Sequence, residues 1–213
     1  SWTYHGANRL GANSLLSASV DGWFTLPFTV PNYLADHLGE EKLAEDSREA
    51  QDVVAAVTDR IERIMSINGP DPHGPEYFHE KLGDILYEHC GVSRTVEGLE
   101  EGIKKIRALR DDFWTNINIP GSPNDMNQTL EAALRLVDYI NLGELMCVDA
   151  LDRDESCGAH YRMDHLTDDG EAERDDDNWC FVSAWEPAGD GQFIRHAEPL
   201  YFDSIPLMAR NYK

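Results

Sequence analysis

His5-Gly6-Ala7-Asn8-Arg9-Leu10-Gly11-Ala12-Asn13-Ser14-Leu15 is the densest run of glycine, amide and cation in a chain of 213 residues. Gly6 and Gly11 let a backbone approach a ligand with no Cβ in the way. Asn13 or Ser14 is placed to cap a helix whose unpaired N–H groups attract anions, and Arg9 adds a planar fork for a carboxylate or phosphate. The glycine spacing is that of a P-loop, but Ala12-Asn13 stands where Lys-Ser/Thr has to follow, so that reading fails. G-x-G-x-x-G does not occur, so a dinucleotide-binding strand and turn lie outside this chain. On spacing alone, an ordinary capped turn and a ligand-binding loop both stay open.

Outward from this loop, residues 13–24 read as a helix, with Leu15, Leu16, Ser19, Val20 and Trp23 at helical spacing. Pro27 and Pro31 argue against continued helix, and Phe24, Phe28 and Tyr33 are expected to be core anchors where a linker crosses to the next unit. From Glu41 to Ile67 the positions Leu43, Val53, Val54, Val57, Ile61 and Ile64 form one long amphipathic stripe, stopped by Asn68-Gly69-Pro70. A shorter helix over 75–90 ends at Cys90-Gly91. Thr95 opens another, with Val96, Leu99, Ile103, Ile106, Leu109 and Phe113 on one face. Asn124 is placed to cap a last helix through Leu130, Leu134, Val137, Ile140 and Leu145. Short Pro/Gly turns between such helices predict a mainly α fold built on an antiparallel three- to four-helix, spectrin-repeat-like bundle. Beyond it, Trp179–Trp185 and Phe193-Ile194 flank a turn at 187–191 and predict a hairpin, with Leu200-Tyr201-Phe202 as an extended edge.

Composition narrows the function classes. Lys+Arg 18 against Asp+Glu 40 gives a net charge of -22, which argues against nucleic acid as a partner because phosphate binding draws on basic patches. An acidic substrate stays compatible, since one Arg in a cleft acts against the average field. Cys90, Cys147, Cys157 and Cys180 form no C-x-x-C pair, so zinc, iron–sulfur and disulfide frameworks lack support and reduced thiols are expected. His73, His79, His89 and Asp111-Asp112 show no ligand pair on one helix face. Asp168-Asp169-Gly170-Glu171 and Asp175-Asp176-Asp177 match calcium loops in charge only. The uncharged run Gly22–Ala35 is too short to span a membrane, so any membrane association runs through a partner. His160, Tyr161 and Arg162 read either as an active-site cluster or as residues that fasten the tail, with fastening favoured because spacing shows no nucleophile or base.

The opening run as a whole resembles the signature near the end of the FAD domain in flavoprotein subunits of succinate dehydrogenases and fumarate reductases. Glu155-Ser156-Cys157-Gly158-Ala159-His160 is similar to that family's Glu-Ser-Arg-Gly-Ala-His segment, with Cys157 where better-known members carry Arg. That departure, the acidic insert after it and the end Arg210-Asn211-Tyr212-Lys213 resemble the branch found with single-subunit dihaem membrane anchors. Similarity of this kind covers nearly the whole chain but only the last third or so of a typical family subunit.

The resemblance implies that Arg9 grips a carboxylate of the dicarboxylate substrate, succinate or fumarate, and that Ser14 and Leu15 touch the flavin. Other catalytic residues are expected before Ser1, so no catalytic residue is assigned here. The implied organisation is residues 1–38 as the end of an α/β FAD-binding domain, 39–154 as the helical bundle, and 155–213 as a small α+β tail. Implied partners are the amino-terminal FAD and capping domains of the same subunit, an iron–sulfur subunit, and indirectly a membrane anchor, at the cytoplasmic face of a bacterial inner membrane. As a fragment the chain is expected to be inactive and to hold no FAD, because the Rossmann-type elements that bind the cofactor are not in it. The competing class is a non-catalytic, acidic helical module that docks to partner proteins.

Overall fold

The computed structural model describes residues 13–189, 191–204 and 206–208. Its elements, in order, are α1 (Asn13–Val20), a wide π-helical turn (Asp21–Thr25), α2 (Leu26–Leu34) and a 3-10 turn (Ala35–His37). Then come α3 (Arg48–Met65), α4 (Pro75–His89), β1 (Ser93–Arg94), α5 (Val96–Asn116) and α6 (Gln128–Asp152). The tail holds β2 (Tyr161–Arg162), α7 (Asp176–Trp179), β3 (Phe181–Gly189) and β4 (Gln192–Pro199). The fold is mainly helical. It divides into two compact units, one of residues 25–91 and 96–151, the other combining the described parts of 1–24, 92–95 and 152–213.

In the first unit the apolar periods of α5 and α6 are buried. α5 places Leu99, Gly102, Ile106, Leu109 and Phe113 inside, and α6 places Leu130, Ala133, Leu136, Ile140, Gly143, Cys147 and Ala150 there. Phe78 of α4 meets Phe113 edge to face at 5.3 Å between ring centres, a favoured aromatic geometry. At Gly102 an added Cβ would lie 2.9 Å from His89 Cβ and 3.5 Å from Cys147 Sγ, so the missing side chain sets how closely α4 approaches α5. Buried among these apolar residues is one carboxylate, Glu144, which accepts 2.7 Å from Arg107 Nε and a second, short contact from Arg110. A buried charge persists only when it is paired in this way.

Several sequence expectations change. The long stripe predicted from Glu41 begins only at Arg48, capped by Ser47 Oγ, which accepts from the Ala50 N–H at 3.2 Å. Within α3 only Ile64 is buried, while Val53, Val54 and Val57 are exposed; periodicity fixes a face but not whether anything covers it. Residues 26–34 are helical despite their prolines. Pro27 sits in the first turn, where no N–H is required, and Pro31 lies inside the helix. Phe24, Phe28 and Tyr33 are not core anchors: they are 69%, 65% and 77% exposed. The last long helix is capped not by Asn124 but by Asn127, whose Oδ1 accepts from the Leu130 N–H at 3.0 Å.

The tail forms the expected hairpin. β3 and β4 pair antiparallel from Phe181↔Pro199 to Gly189↔Gln192, with a register shift between Pro187 and Gly189. Gly189 and Gly191 adopt positive φ at the turn, the conformation that favours glycine. The predicted edge at Leu200-Tyr201-Phe202 does not form a strand.

Gly69 and Gly83 give opposite expectations for the same substitution. At Gly69 a Cβ would fall 2.1 Å from Asn116 Oδ1 and 2.2 Å from the Thr115 carbonyl oxygen, whereas at Gly83, inside α4, it would meet nothing within 4 Å. Gly69→Ala is expected to destabilise by about 1–3 kcal/mol through overpacking, and Gly83→Ala to stabilise by about 0.5–1 kcal/mol through helix propensity. Urea unfolding of both variants checks the two signs.

Candidate functional site

The second unit is held by charge. Among the described residues its buried side chains are Glu155, Ser156, His160 and Arg162, all polar. Arg162 is 2% exposed. Its Nε and Nη2 engage the two Asp164 oxygens at 2.8 and 2.6 Å, a bidentate fork, and its Nη1 donates to the Arg153 carbonyl at 3.3 Å. Ser156 Oγ accepts the Arg162 N–H at 2.8 Å and donates back to its carbonyl at 3.1 Å. Glu155 takes a short contact from Arg153 and accepts the Asp175 N–H at 2.9 Å. Arg153 continues to the Phe181 carbonyl at 3.1 Å, which ties the start of the hairpin to the network.

The turn that carries His160 is closed by Cys157 N–H to the His160 carbonyl at 2.8 Å and the reverse bond at 3.1 Å, with Gly158 at φ 61° between them. The tautomer of His160 follows from its neighbours. Nε2 lies 2.9 Å from the Arg153 carbonyl oxygen, which only accepts, so Nε2 carries the proton. Nδ1 lies 2.7 Å from Arg94, which only donates, so Nδ1 is bare. Burial holds the His160 pKa below its ordinary value, and the Arg94, Arg162 and Arg153 charges add to that. Burial likewise pushes the Cys157 thiol up, with the Glu155 carboxylate next in effect. The Arg162 hydrogen bond holds Asp164 below the usual carboxylate range. A neutral imidazole with both nitrogens engaged and a protonated thiol are arranged to hold the chain rather than to move protons.

Asp154, Asp164 and His165 bring ligand-type atoms within 4.8 Å of one another. His165 Nε2 is 2.8 Å from Asp154 Oδ1, and Arg162 Nη2 reaches both carboxylates, at 3.5 Å to Asp154 and 2.6 Å to Asp164. The guanidinium therefore supplies the positive charge that a metal would bring. In the acidic stretches, Asp175 is used as a helix cap, its Oδ1 accepting the Asn178 N–H at 3.2 Å. In the helical unit a groove of about 230 Å³ lies between α3 and α6, floored by Val57, Ile61 and Leu134. Its rim cations are paired, Arg60 with Asp138 at 3.1 Å and Arg135 with Glu131.

Of the residues singled out by the opening motif, Arg9 lies outside the described residues. Ser14 and Leu15 sit in the first turn of α1, Ser14 half-buried with its carbonyl accepting from Ser17 Oγ at 3.0 Å, and Leu15 74% exposed. Because the helix already includes Asn13 and Ser14, its cap also falls outside the described residues. Arg153 and Glu144 were not singled out in the sequence, and Glu155 stood there only as part of the family-like segment, with no role. The available signal was a carboxylate at core spacing, Glu144 between Ile140 and Cys147 on the inner face of α6.

A family model for the carboxyl-terminal part of the fumarate reductase flavoprotein matches residues 79–212. The chain belongs to that family. It is 32% identical over 214 residues to the fumarate reductase flavoprotein subunit of Escherichia coli (strain K12), covering 98% of this chain and 32% of that one. To the succinate dehydrogenase flavoprotein subunit of Bacillus subtilis (strain 168) it is 33% identical over 178 residues, 84% of this chain and 28% of that one. Among solved structures, the quinol fumarate reductase of E. coli aligns at a TM-score of 0.76 and 28% identity, over 95% of this chain and 32% of that chain. The chain thus spans about a third of the length of the curated relatives it matches. Among the described residues no helix is long and apolar enough to cross a membrane.

The polar network has a pH signature. Folded His160 is held neutral, while the unfolded imidazole takes up a proton near its ordinary value of 6.5. The unfolded state therefore binds more protons below that value, so stability is full above about pH 6.5 and falls as pH drops toward the depressed folded value. His160→Gln is expected to lower stability at pH 7 and to flatten the loss between pH 6.5 and 5. Melting curves at both pH values, wild type against variant, check it; equal pH slopes would contradict it.

Proposed function

We propose that this chain is the carboxyl-terminal portion of a flavoprotein subunit that interconverts succinate and fumarate. The observation that carries the reading is the 32% identity to a fumarate reductase flavoprotein subunit over 98% of the chain. On this reading residues 1–38 complete the flavin-binding portion, 39–154 form the helical domain, and 155–213 the tail. An iron–sulfur subunit takes or gives the electrons, a membrane anchor serves quinone, and the assembly sits at the cytoplasmic face of a bacterial inner membrane.

FAD, when bound, exchanges the electron pair with the substrate carbon. Ser14 and Leu15 fit one edge of such a site: they open α1, whose first turn holds no acidic residue, and Leu15 leaves an apolar side chain uncovered there. They make an edge only, since the elements that grip the pyrophosphate and adenosine precede this chain. Arg9 clamps one carboxylate of the dicarboxylate through its planar fork, orients it, and answers charge that develops as the substrate reacts.

Two measurements test this. The chain alone is expected to give no binding in a titration with FAD, and stoichiometric micromolar binding would contradict the edge-only role of Ser14 and Leu15. In the full-length subunit, Arg9→Lys keeps the charge and loses the fork. It is expected to cost about 2–5 kcal/mol of transition-state stabilisation, about 30-fold to several thousand-fold in kcat/KM for succinate per bound flavin. Near wild-type kcat/KM per flavin in Arg9→Ala would remove Arg9 from the substrate site. A parallel loss of melting temperature and flavin content would make it a structural tie instead.

A further inference from the structure

We infer that the outer face shared by α4 and α6 is a docking surface for another protein, which lays on it an amphipathic helix whose apolar side is flanked by Lys and Arg. Two contacts set α4 and α6 side by side. The His79 and Tyr139 rings lie 6.1 Å apart between centres, and a Cβ added at Gly143 would stand 3.2 Å from a Leu82 methyl and 3.4 Å from a Leu86 methyl. On the solvent side of this seam α6 brings Tyr139, Leu142 and Met146, spaced by three and four so that they share one line, and α4 brings Gly83 and Tyr87. The four large side chains are all exposed, Tyr87 at 89%. A contiguous apolar line rimmed by charge marks an interaction site, unlike apolar residues scattered singly.

Gly83 adds an independent argument. Gly102 and Gly143 stand where a Cβ would crowd His89 and Leu82, so packing within the chain accounts for both. Gly83 faces open space among the described residues, and a glycine inside a helix costs about 0.5–1 kcal/mol against alanine. A close approach from outside gives that glycine a use. One turn on, Tyr87 presents a bare ring of the type enriched at interface centres.

Charge complementarity selects the occupant. Glu76, Glu80 and Asp84 follow at four-residue steps beside Gly83 and Tyr87, all three exposed. Like charges at that spacing oppose the helix that carries them, and a cationic partner turns the repulsion into attraction and steering. Neighbouring lysines are engaged elsewhere, Lys81 at 5.8 Å from the Tyr77 ring and Lys105 at 3.8 Å from Glu88. An Arg of the docked helix stacks on Tyr87, and its apolar anchors at three- and four-residue spacing match the seam. A second copy of this chain is disfavoured, since two bodies of charge -22 repel each other.

The test is titration with a designed probe, a fluorescent helical peptide of about five turns with Leu along one face and Lys and Arg on its flanks. Anisotropy is read at physiological ionic strength, where diffuse attraction between exposed charges is largely screened. Two further peptides carry Glu in place of the cations, or the same residues in scrambled order. Gly83→Gln fills open space and leaves the net charge unchanged, so its melting temperature is expected to equal or exceed wild type while the Kd of the probe rises about tenfold or more. Tyr87→Ala, at an exposed position, is expected to weaken binding by about tenfold as well, and it stands in if Gly83→Gln folds poorly. Unchanged Kd in both variants, or equal binding of the scrambled peptide, would reduce the effect to net charge and overturn the inference. Equal binding of the Glu-flanked peptide, or no binding of the probe, would overturn it too. A full-length subunit that fails to bind the probe would show the face covered by its own polypeptide. Self-association of the wild-type chain in sedimentation, abolished by Gly83→Gln, would make a second copy the occupant; either result contradicts docking of a cationic partner.

Discussion

A guanidinium that is 2% exposed must have its charge answered inside the fold, and the unit that contains Arg162 is arranged around that requirement. Asp164 supplies the fork, Asp154 and the Arg153 carbonyl take the remaining donors, and Ser156 pins the backbone at the same residue. From Arg153 the network passes to Glu155, to the turn of His160, and to the first residue of the hairpin. Arg195 closes the other strand, 3.3 Å from Asp152 and stacked over the Trp179 and Phe181 rings at 5.2 and 4.9 Å. Two-stranded hairpins are marginal alone, so these ties give β3 and β4 a fixed base. The helical unit solves the opposite problem, with an apolar interior from Ile64 to Ala150 and one ionic insertion at Glu144.

Helices with an inner and an outer face were legible in the sequence. α5 and α6 follow their apolar period, and the hairpin followed its turn residues. What periodicity could not tell is whether a partner exists: Val53 and Ile64 share one stripe, yet one is bare and the other buried. α2 was misread for a related reason. Proline was weighed as a breaker, but in the first turn it costs nothing, and an uncharged aromatic helix was assigned to a core that this chain does not supply.

The ionic centre of the tail was legible only in part. His160 and Arg162 drew attention as a cluster and Glu155 only as part of the family-like segment, whereas Glu144 did not, because 40 acidic residues hide the few that are buried. The sequence distinguishes a buried carboxylate from a solvated one only where it interrupts an apolar face, as Glu144 does. The motif at 5–15 worked differently. It carried the family through likeness rather than through a fold prediction, and its Arg9 stands outside the described residues.

On the proposed function, this chain supplies one part of a flavoprotein whose other part holds the cofactor. The most direct measurement is reconstitution in trans: the flavin-binding portion and this chain are expressed separately, and flavin bleaching by succinate is followed on mixing. Neither part alone is expected to be reduced by succinate, and the mixture is. Reduction by the flavin-binding portion alone, at the rate of the mixture, would contradict it.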